Sequence, residues 1–521
     1  MHAIVRVLLL VLVALPTAVR AQDATGAEQP TATEQRVEAL LARMTLGDKL
    51  SLLGGVNIFD VPGLPNLGLP RLGTADGPFG IRAAGPATVY PGGIGLAATW
   101  NPVLVEGVGR QMGRDARARG KHFHLAPGVN LYRSPLNGRN FEYYGEDPYL
   151  AARTAVAFIQ GVQSQGVSST VKHWVGNNSE FMRHSSDSRI DERALRELYL
   201  PAFEAAVKEA DVGAVMAAYN LTNGERMTAH ERLNLGVLKG EWGFDGVLMS
   251  DWGATYDGLA AATAGLDLEM PGPRHMHPDT LRRFLETGLL DEATIDDKVR
   301  RLLRTEVRFG WPDRPQLDPG IPRDNPAGRV VALEAAIEGM VLLKNEGSTL
   351  PLEDNIGRVA VLGPNADPTP VVGGGSASVL PIEPVSFLDG ITARLGAERV
   401  TYHPGLPDLQ AAARATRFTT PEDEPGLRVE VFDGMALEGA PTSTRIDSFV
   451  DLGQPLDLAV IFSNPGGANL LALMPTGPRS IRWTGTYTPA QPGEYDFFVQ
   501  QGGFSDAGAR LYVDGEKLTD T

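Results

Sequence analysis

The chain has 521 residues, of which 43% are hydrophobic and 21% are charged; it carries a net charge of −16 and contains no cysteine. This length predicts roughly three domains at about 150 residues each, and the composition is that of an ordinary soluble globular protein. The acidic balance argues against nucleic acid or an anionic membrane as a partner, because neither would find a basic surface to bind. The lack of cysteine excludes disulfides, thiolate metal sites and cysteine nucleophiles.

The N-terminus has the pattern of a signal peptide over residues 1–21. Arg6 precedes an apolar run over residues 7–15, and Val19-Arg20-Ala21 fits a cleavage site. An uncleaved membrane anchor is disfavoured because the run is shorter than the ~20 apolar residues that a span needs. We therefore expect an exported protein, periplasmic or extracellular, with no membrane partner after cleavage. Residues 22–34, polar and of low complexity, are expected to form a flexible leader.

Residues 35–313 alternate between short apolar segments and amphipathic ones. The strand candidates are "HFHLAPGVNLY", "STVKHWVGN", "VGAVMAAYN" and "GVLMSDWG". Helical spacing predicts helices over 149–165 and over 191–210, the latter with Asp191 as N-cap. This alternation predicts a parallel α/β sheet, and its length suits a (β/α)8 barrel, with a doubly wound sheet as the alternative. The polar groups at the strand ends favour the barrel, whose active sites lie there.

A Pro-rich stretch at 314–328 predicts a linker. The segment "RVVALEAAIEGMVLLKN" (329–345) is then expected to form a helix, "RVAVLGPNAD" a strand and turn, and "GGGSASV" (373–379) a glycine-rich loop. Residues 329–415 thus predict the first segment of a second α/β domain. From about residue 421 to 521 the alternation of apolar and polar residues between turns predicts a β-rich region.

The barrel segment offers carboxylates, cations and aromatic rings. Charged groups bind sugar hydroxyls, aromatic rings pack on the apolar faces of sugars, and paired carboxylates hydrolyse glycosides. Each residue alone also has a structural interpretation: a cap or turn for Asp251, a loop ion pair for Lys172-His173. The pairs His122/His124 and His275/His277 are weak evidence for a metal, because no carboxylate ligand lies nearby at a recognised spacing. The sequence predicts no metal and no cofactor.

Seven segments together resemble glycoside hydrolase family 3, and most closely its β-glucosidases: "DGPFGIR", "NGRNFEYYGEDPYL", "VKHWVGNN", "RIDERALRELYLPAFEAAV", "MAAYN", "GFDGVLMSDWG" and "GMVLLKNEGSTLPL". The resemblance covers about residues 35 to 415, in order and spacing. It implies a (β/α)8-type barrel followed by an α/β sandwich, and a retaining double displacement without a cofactor. The N-acetylglucosaminidase branch of the family is disfavoured, because "KHWVGNN" replaces its "KHFPGHG" motif.

The resemblance also implies roles for individual residues. The family's SDW aspartate is the nucleophile, which corresponds to Asp251 here. Trp252 would pack beside the sugar, and Met216 and Ser179 would be neighbours of the site. The remaining substrate-binding positions implied by the family motifs are Asp76, Arg82, Arg139, Lys172, His173, Arg183 and Tyr219.

The segment from about 421 onward resembles the lectin-like β-sandwich named for anthrax protective antigen, which some family 3 β-glucosidases carry as an insertion. "TGTYTPAQPGEYDFFVQ" and "ARLYVDGEKL" carry this resemblance. In such enzymes the general acid/base is a glutamate encoded after the insertion. We therefore assign no acid/base residue in this chain, and we expect these 521 residues to be a fragment of a longer enzyme with an incomplete second domain.

The predicted function is that of an exported, retaining exo-β-glucosidase acting on small β-glucosides or oligosaccharides. A β-xylosidase of the same family is the nearest alternative. A sugar-binding fragment with impaired catalysis is the alternative from another class, because no acid/base is assigned. The sequence does not indicate an oligomeric state.

Overall fold

The computed structural model describes residues 31–450 and 479–520, apart from positions 84, 354, 406–408, 435, 498 and 500–507. The predicted signal peptide and residues 22–30 of the leader lie outside the described residues. Within the described part, no helix is long and apolar enough to cross a membrane. The helices are α1 Ala32–Leu41, α2 Leu46–Ser51, α3 Gly93–Ala98, α4 Pro102–Arg117, α5 Pro148–Gln163, α6 Glu192–Ala194, α7 Pro201–Lys208, α8 Gly258–Thr263, α9 Pro278–Glu286, α10 Glu292–Arg308, α11 Pro326–Glu338, α12 Phe387–Leu395 and α13 Leu409–Ala415. The strands are β1 Asp60–Val61, β2 Leu72–Ala75, β3 Phe123–His124, β4 Ser168–Trp174, β5 Asp187–Ser188, β6 Ala214–Ala217, β7 Leu221–Thr222, β8 Glu225–Arg226, β9 Val247–Ser250, β10 Val359–Leu362, β11 Val400–His403, β12 Phe418–Thr419, β13 Leu427–Asp433, β14 Ser443–Asp447, β15 Arg479–Thr484, β16 Thr486–Tyr487, β17 Arg510–Val513 and β18 Glu516–Asp520.

The central sheet has six strands in the order β1-β2-β3-β4-β6-β9. The five strands from β2 to β9 are parallel, and β1 pairs with β2 in the antiparallel sense. Because the parallel strands follow one another in chain order, each helical connection advances in the same direction, as in a barrel, rather than reversing as in a doubly wound sheet. Their carboxyl ends therefore meet on one side of the domain.

Further pairs extend this sheet beyond β9. Leu268 forms a parallel bridge with Met249, and Glu269 forms one with Gly54. The amide of Val56 then donates to the carbonyl of Asp60 in β1 at 2.8 Å. The sheet is thus continued from β9 through two further backbone segments toward its first strand.

The long helices pack against the outside of the sheet. The five parallel strands of this sheet are buried along their whole length, with Val171, Val215 and Leu248 fully inaccessible to solvent. Helices α4 and α5 approach closely because Gly161 has no side chain; a Cβ there would stand 2.2 Å from the Glu106 carbonyl oxygen. This packing fixes the strands whose ends carry the polar side chains.

Three predicted segments differ from the structure at their boundaries. The predicted leader ends earlier than residue 34, because α1 begins at Ala32 with the Thr31 hydroxyl accepting from the Glu34 amide at 3.2 Å. The helix expected over 191–210 begins after Asp191, as predicted, but a π-helical turn, Leu195–Tyr199, separates α6 from α7. Pro201 begins α7 and has no amide hydrogen, so the regular hydrogen-bond ladder cannot pass through it.

The helix predicted over 329–345 is also wrong at both ends. It starts inside the predicted linker, at Pro326, and stops at Glu338. Gly339 has low helix propensity, and a Cβ at this position would meet the Gly95 carbonyl oxygen at 2.6 Å. The residues that follow, 341–343, are exposed and not helical.

The segment after the linker contains small sheets. Strands β10 and β11 are parallel, whereas β14-β13-β15, β12-β16 and β17-β18 are antiparallel. One stretch of this segment contacts the N-terminal α/β domain: the Ala87 amide donates to the Leu380 carbonyl at 2.9 Å. Val379 is buried beside Phe79 in a small apolar cluster with Ala87 and Ala377. The glycine-rich loop is thereby held beside the strand ends.

Candidate active site

The nine predicted site residues lie together at the carboxyl ends of the parallel strands. Asp76 follows β2, Lys172 and His173 lie in the last residues of β4 before Trp174, Tyr219 follows β6, and Asp251 follows β9. Arg82, Arg139, Arg183 and Trp252 come from the loops around them. Hydrogen bonds, ion pairs and ring contacts connect these side chains into one buried cluster.

Asp76 is clamped between two cations. Its carboxylate accepts from Lys172 Nζ at 2.7 Å and from Arg82 Nη2 at 3.4 Å, and the Gly77 amide donates to it at 2.8 Å. Burial raises the pKa of Asp76, but the charges of Lys172 and Arg82 outweigh burial and lower it below its usual value. A buried ion triad of this kind presents fixed charges to a ligand with hydroxyl groups.

His173 is oriented by Asn130. The Asn130 side-chain amide donates to the His173 carbonyl at 2.9 Å, and Asn130 Oδ1 accepts from the His173 backbone amide at 2.8 Å. Asn130 Oδ1 also lies 3.2 Å from Nδ1 of the ring. We therefore assign the ring hydrogen to Nδ1, which leaves Nε2 as an acceptor. Burial first, then the positive charges of Arg139 and Lys172, lower the pKa of His173 well below its usual value, so the ring is neutral near pH 7.

The two carboxylate oxygens of Asp251 differ in their hydrogen bonds. Oδ1 accepts from the Trp252 amide at 2.7 Å, and the Asp251 amide itself donates to the Ala217 carbonyl at 3.0 Å. Oδ2 is buried and has no hydrogen-bond partner among the described residues. It lies 3.6 Å from His173 Nε2. Two acceptors therefore face each other in a buried space, an arrangement that a ligand hydroxyl or an electrophilic carbon would satisfy.

Arg139 connects the N-terminal α/β domain to the segment after the linker. It makes a bidentate pair with Glu142, with Nε to Oε1 at 3.1 Å and Nη2 to Oε2 at 2.8 Å, and both residues are buried. Its Nη2 also reaches the hydroxyl of Ser376 at 3.5 Å. Ser376 belongs to the glycine-rich loop, so this loop contributes a hydroxyl to the site. Sequence reasoning missed it, since its neighbours are distant in the chain.

Tyr219 is buried between Arg183 and Trp252. The Arg183 guanidinium carbon lies 4.1 Å from the centre of the Tyr219 ring, and its Nη1 donates to Glu180 at 2.8 Å. The Tyr219 hydroxyl donates to the Trp252 carbonyl at 3.1 Å. Burial, followed by the negative charge of Asp251, raises the pKa of Tyr219 well above its usual value. Tyr219 thus stays a neutral hydrogen-bonding group beside Asp251.

Trp252 forms an aromatic edge of the site with Phe59. The indole Nε1 donates to the Ile58 carbonyl at 2.6 Å, and the Trp252 and Phe59 ring centres are 5.9 Å apart. Arg82 lies over the Phe59 ring at 5.3 Å. Phe59 was missed from the sequence because it precedes β1 in an irregular loop. Only the antiparallel pairing of β1 with β2 carries it to Trp252 and Arg82.

Met216 and Ser179, the two residues expected to neighbour the site, differ from each other in exposure. Met216 is buried within β6. Ser179 is exposed, and its hydroxyl accepts from the Phe181 amide at 3.3 Å. Within the described part of the chain, no group of three His, Cys, Asp or Glu side chains is arranged to hold a metal ion.

Two family models match the chain, in chain order. Residues 63–305 match the glycosyl hydrolase family 3 N-terminal domain, and residues 340–467 match the glycosyl hydrolase family 3 C-terminal domain. The chain belongs to glycosyl hydrolase family 3. The first match contains all nine clustered site residues, and the second contains the glycine-rich loop with Ser376.

Two curated β-glucosidases are similar in sequence to most of this chain. A β-glucosidase of Rhizobium radiobacter is 39% identical over 93% of this chain and 57% of its own length. β-Glucosidase B of Emericella nidulans is 35% identical over 93% of this chain and 56% of its own length. The chain therefore spans somewhat more than half the length of these relatives.

Two solved β-glucosidase structures are similar in fold to most of this chain. β-Glucosidase 3B of Thermotoga neapolitana, in complex with α-D-glucose, superposes with a TM-score of 0.66 at 37% identity, over 72% of this chain and 55% of that one. DesR, a β-glucosidase of Streptomyces venezuelae in complex with D-glucose, gives a TM-score of 0.68 at 33% identity, over 77% of this chain and 58% of that one.

Proposed function

We propose that this chain carries the glucose-binding half and the nucleophile of a retaining exo-β-glucosidase. The single observation that carries the proposal is Asp251 Oδ2, a buried carboxylate oxygen that has no hydrogen-bond partner among the described residues and faces the acceptor Nε2 of a neutral His173. The other site carboxylates are bound to cations. Asp251 is thus the site carboxylate with an oxygen available to attack.

In the proposed reaction, Asp251 Oδ2 attacks the anomeric carbon of a terminal β-glucosyl residue. A bond forms between this oxygen and the carbon, while the bond to the leaving-group oxygen breaks and its electron pair stays with that oxygen. The leaving group takes a proton from a general acid. In the second step water attacks the same carbon, the base takes its proton, and Asp251 is released as a carboxylate.

The surrounding residues would bind the sugar. The charged groups would bind its hydroxyls and the ring of Trp252 would pack on its apolar face. Since Asp251 Oδ2 and His173 Nε2 are both acceptors, a sugar hydroxyl could donate to either. We propose this binding role for Asp76, Arg82, Arg139, Lys172, His173, Arg183, Tyr219 and Trp252.

The general acid/base is proposed to come from outside this set. Glu142 is paired with Arg139 at 2.8 Å, Glu180 with Arg183 at 2.8 Å, and Asp76 with Lys172 at 2.7 Å. Each of these three carboxylates is therefore already engaged by a cation of the site. In the enzymes that the sequence resembles, the acid/base is a glutamate encoded further along the chain. We name none here.

Further parts of the proposal concern architecture and location. We propose that the bridges through Leu268, Glu269 and Gly54 complete a (β/α)8-type barrel, and that the antiparallel strands after residue 421 belong to a lectin-like β-sandwich beside the cleft. The signal pattern of residues 1–21 supports export. Small β-glucosides and short oligosaccharides are the proposed substrates. The relatives are β-glucosidases, and two of the similar structures are β-glucosidases in complex with glucose.

The test compares turnover of 2,4-dinitrophenyl β-glucoside and β-xyloside, because this leaving group needs little protonation. We expect hydrolysis of the glucoside to exceed that of the xyloside, with the β-anomer of glucose formed first in proton NMR. Asp251→Asn should lose this activity. Asp257→Asn is the matched control: Asp257 lies on the same loop but caps α8 through the Ala260 amide at 2.9 Å, and asparagine also caps. Equal activity of Asp251→Asn and the wild-type protein would overturn the proposal. A faster xyloside would identify a β-xylosidase.

A further inference from the structure

His124 is a buried histidine next to the site, and the reaction above does not use it. It is the last residue of β3, it is 0% exposed, and its Nε2 lies 2.8 Å from the carbonyl oxygen of Gly77. A carbonyl oxygen accepts hydrogen bonds and cannot donate them, so we assign the ring hydrogen to Nε2. Burial lowers the pKa of His124 to about 4, so the ring is neutral near pH 7.

Gly77 connects this bond to the Asp76 carboxylate. The Gly77 amide donates to Asp76 Oδ1 at 2.8 Å, and the Arg82 amide donates to the Asp76 carbonyl at 2.9 Å. Gly77 has a φ of +113°, and a Cβ at this position would stand 2.0 Å from the Gly80 carbonyl oxygen. Gly77 thus has one peptide group bonded to Asp76 and the next one bonded to His124.

The bond from His124 is not needed to satisfy the Gly77 carbonyl. That carbonyl already accepts from the Gly80 amide at 3.1 Å, within the loop itself. The His124 ring moreover buries its Nδ1 without a hydrogen-bond partner among the described residues. A buried acceptor without a partner costs free energy, so satisfying polar groups does not explain this histidine. What its Nε2 adds is a link between the loop and the sheet.

His124 belongs to a well-packed part of the domain. Its backbone is paired on both sides, with Ala75 of β2 and with Ser169 of β4. Its ring packs against Phe158 of α5, with the ring centres 5.9 Å apart. A side chain that is anchored in a sheet and packed on a helix offers a fixed point for a loop.

We propose that His124 is a positioning residue of the sugar site: by donating to the Gly77 carbonyl, it sets the direction in which the Asp76 carboxylate meets a sugar hydroxyl. The inference rests on the proposed function, in which Asp76 binds a hydroxyl of the terminal glucosyl residue. Without the bond, the loop would retain its own hydrogen bonds but would lose its side-chain link to β3. A small displacement of the carboxylate would weaken its bond to the sugar, because hydrogen bonds depend on distance and angle.

The test measures glucose binding by calorimetry in variants of position 124. His124→Leu removes the donor, whereas His124→Gln places an amide nitrogen near the position of Nε2. We expect His124→Leu to weaken glucose binding by about three- to tenfold, and His124→Gln to stay within about twofold of the wild-type protein. His124→Asn is a second loss variant, since its amide is polar but too short to reach Gly77. It should bind glucose as weakly as His124→Leu, and it serves if the leucine variant does not fold.

Monodeoxyglucoses show whether the loss passes through Asp76. A positioning role predicts that the penalty of His124→Leu becomes smaller for a deoxy sugar that lacks a hydroxyl bound by Asp76, and persists for the others. The same deoxy sugar should be the least sensitive to Asp76→Asn. A general loss of structure would instead lower the affinity for all of these sugars by a similar factor.

His122→Leu is the matched control. His122 is also buried, but its Nδ1 accepts from the Gly73 amide of β2 at 3.0 Å, and its ring packs edge-on against Trp311. It therefore bonds to the strand and not to the loop that carries Asp76. We expect His122→Leu to lower the midpoint of urea unfolding and to leave the glucose affinity of the folded protein unchanged.

The outcomes separate the two proposals. Unchanged glucose affinity in His124→Leu and His124→Asn, or an equal loss for every deoxy sugar, would overturn the positioning role. A loss in His124→Gln as large as that in His124→Leu would also overturn it, because the Nε2 bond would then not be the cause. Failure of the wild-type protein to bind glucose would instead overturn the proposed function, and the positioning role with it.

Discussion

A buried carboxyl in α10 makes the stability of the N-terminal α/β domain depend on pH. Glu306 is 1% exposed, and its Oε2 has no hydrogen-bond partner among the described residues. Burial raises the pKa of Glu306 from 4.5 to about 8. The folded protein therefore keeps this proton at neutral pH, whereas the unfolded chain releases it above about pH 4.5.

The sign and size of the effect follow from proton linkage. Between pH 4.5 and 8 the folded state binds more protons than the unfolded state at this position, so the free energy of unfolding falls as the pH rises. The contribution is fully present below pH 4.5 and is lost as the pH approaches 8. The slope is about 1.4 kcal/mol per pH unit, which amounts to about 3 kcal/mol at pH 7.

Glu306→Gln replaces the titratable carboxyl with an amide. It should therefore remove the part of the pH dependence of the unfolding free energy that Glu306 causes. We expect urea unfolding, followed by tryptophan fluorescence from pH 4.5 to 8, to give similar stabilities for the two proteins at pH 4.5 and a more stable variant at pH 7. Glu286→Gln is the control, because Glu286 is an exposed glutamate on α9. Parallel stability curves for the wild-type protein and Glu306→Gln would refute the reasoning, since they would mean that Glu306 ionises alike in both states.

Three further predictions concern the site. Asn130→Ala removes the group that orients His173, and the rate at which a fluoroglucoside labels the protein should fall by about fivefold to a hundredfold; an unchanged rate would show that the ring is held otherwise. Lys172→Met leaves the buried Asp76 without its closest cation, so the free energy of unfolding should fall by about 3 kcal/mol in urea titrations; an unaltered midpoint would contradict this. Ser376→Ala removes a single hydroxyl that bonds at 3.5 Å, so glucose affinity in calorimetry should fall by less than about tenfold, and complete loss of binding would show a larger role for this loop.

Much of the fold could be predicted because its signals are local. Buried apolar runs predicted β4, which contains His173, and β9, which directly precedes Asp251, and the N-cap at Asp191 marked a helix start. The boundaries that were missed depend on contacts between distant segments. Gly339 ends α11 where it packs against Gly95, and no periodicity in the sequence reveals this contact.

The same distinction holds for the candidate site. Charged residues directly after strands were found, because parallel strands bring their ends together. Asn130, Phe59 and Ser376 were missed since each lies in an irregular loop, and only the folded chain brings them to His173, Trp252 and Arg139. The orientation of a loop side chain is set by tertiary packing rather than by local pattern.

Covalent labelling tests the central claim, that Asp251 is the nucleophile, most directly. The protein would be incubated with 2,4-dinitrophenyl 2-deoxy-2-fluoro-β-glucoside and digested, and the peptides mapped by mass spectrometry. The dinitrophenolate leaving group needs little protonation, so labelling does not depend on a general acid. We predict one fluoroglucosyl adduct, on Asp251. An adduct on another carboxylate, such as Glu180, or no adduct in a folded protein that binds glucose, would contradict the account.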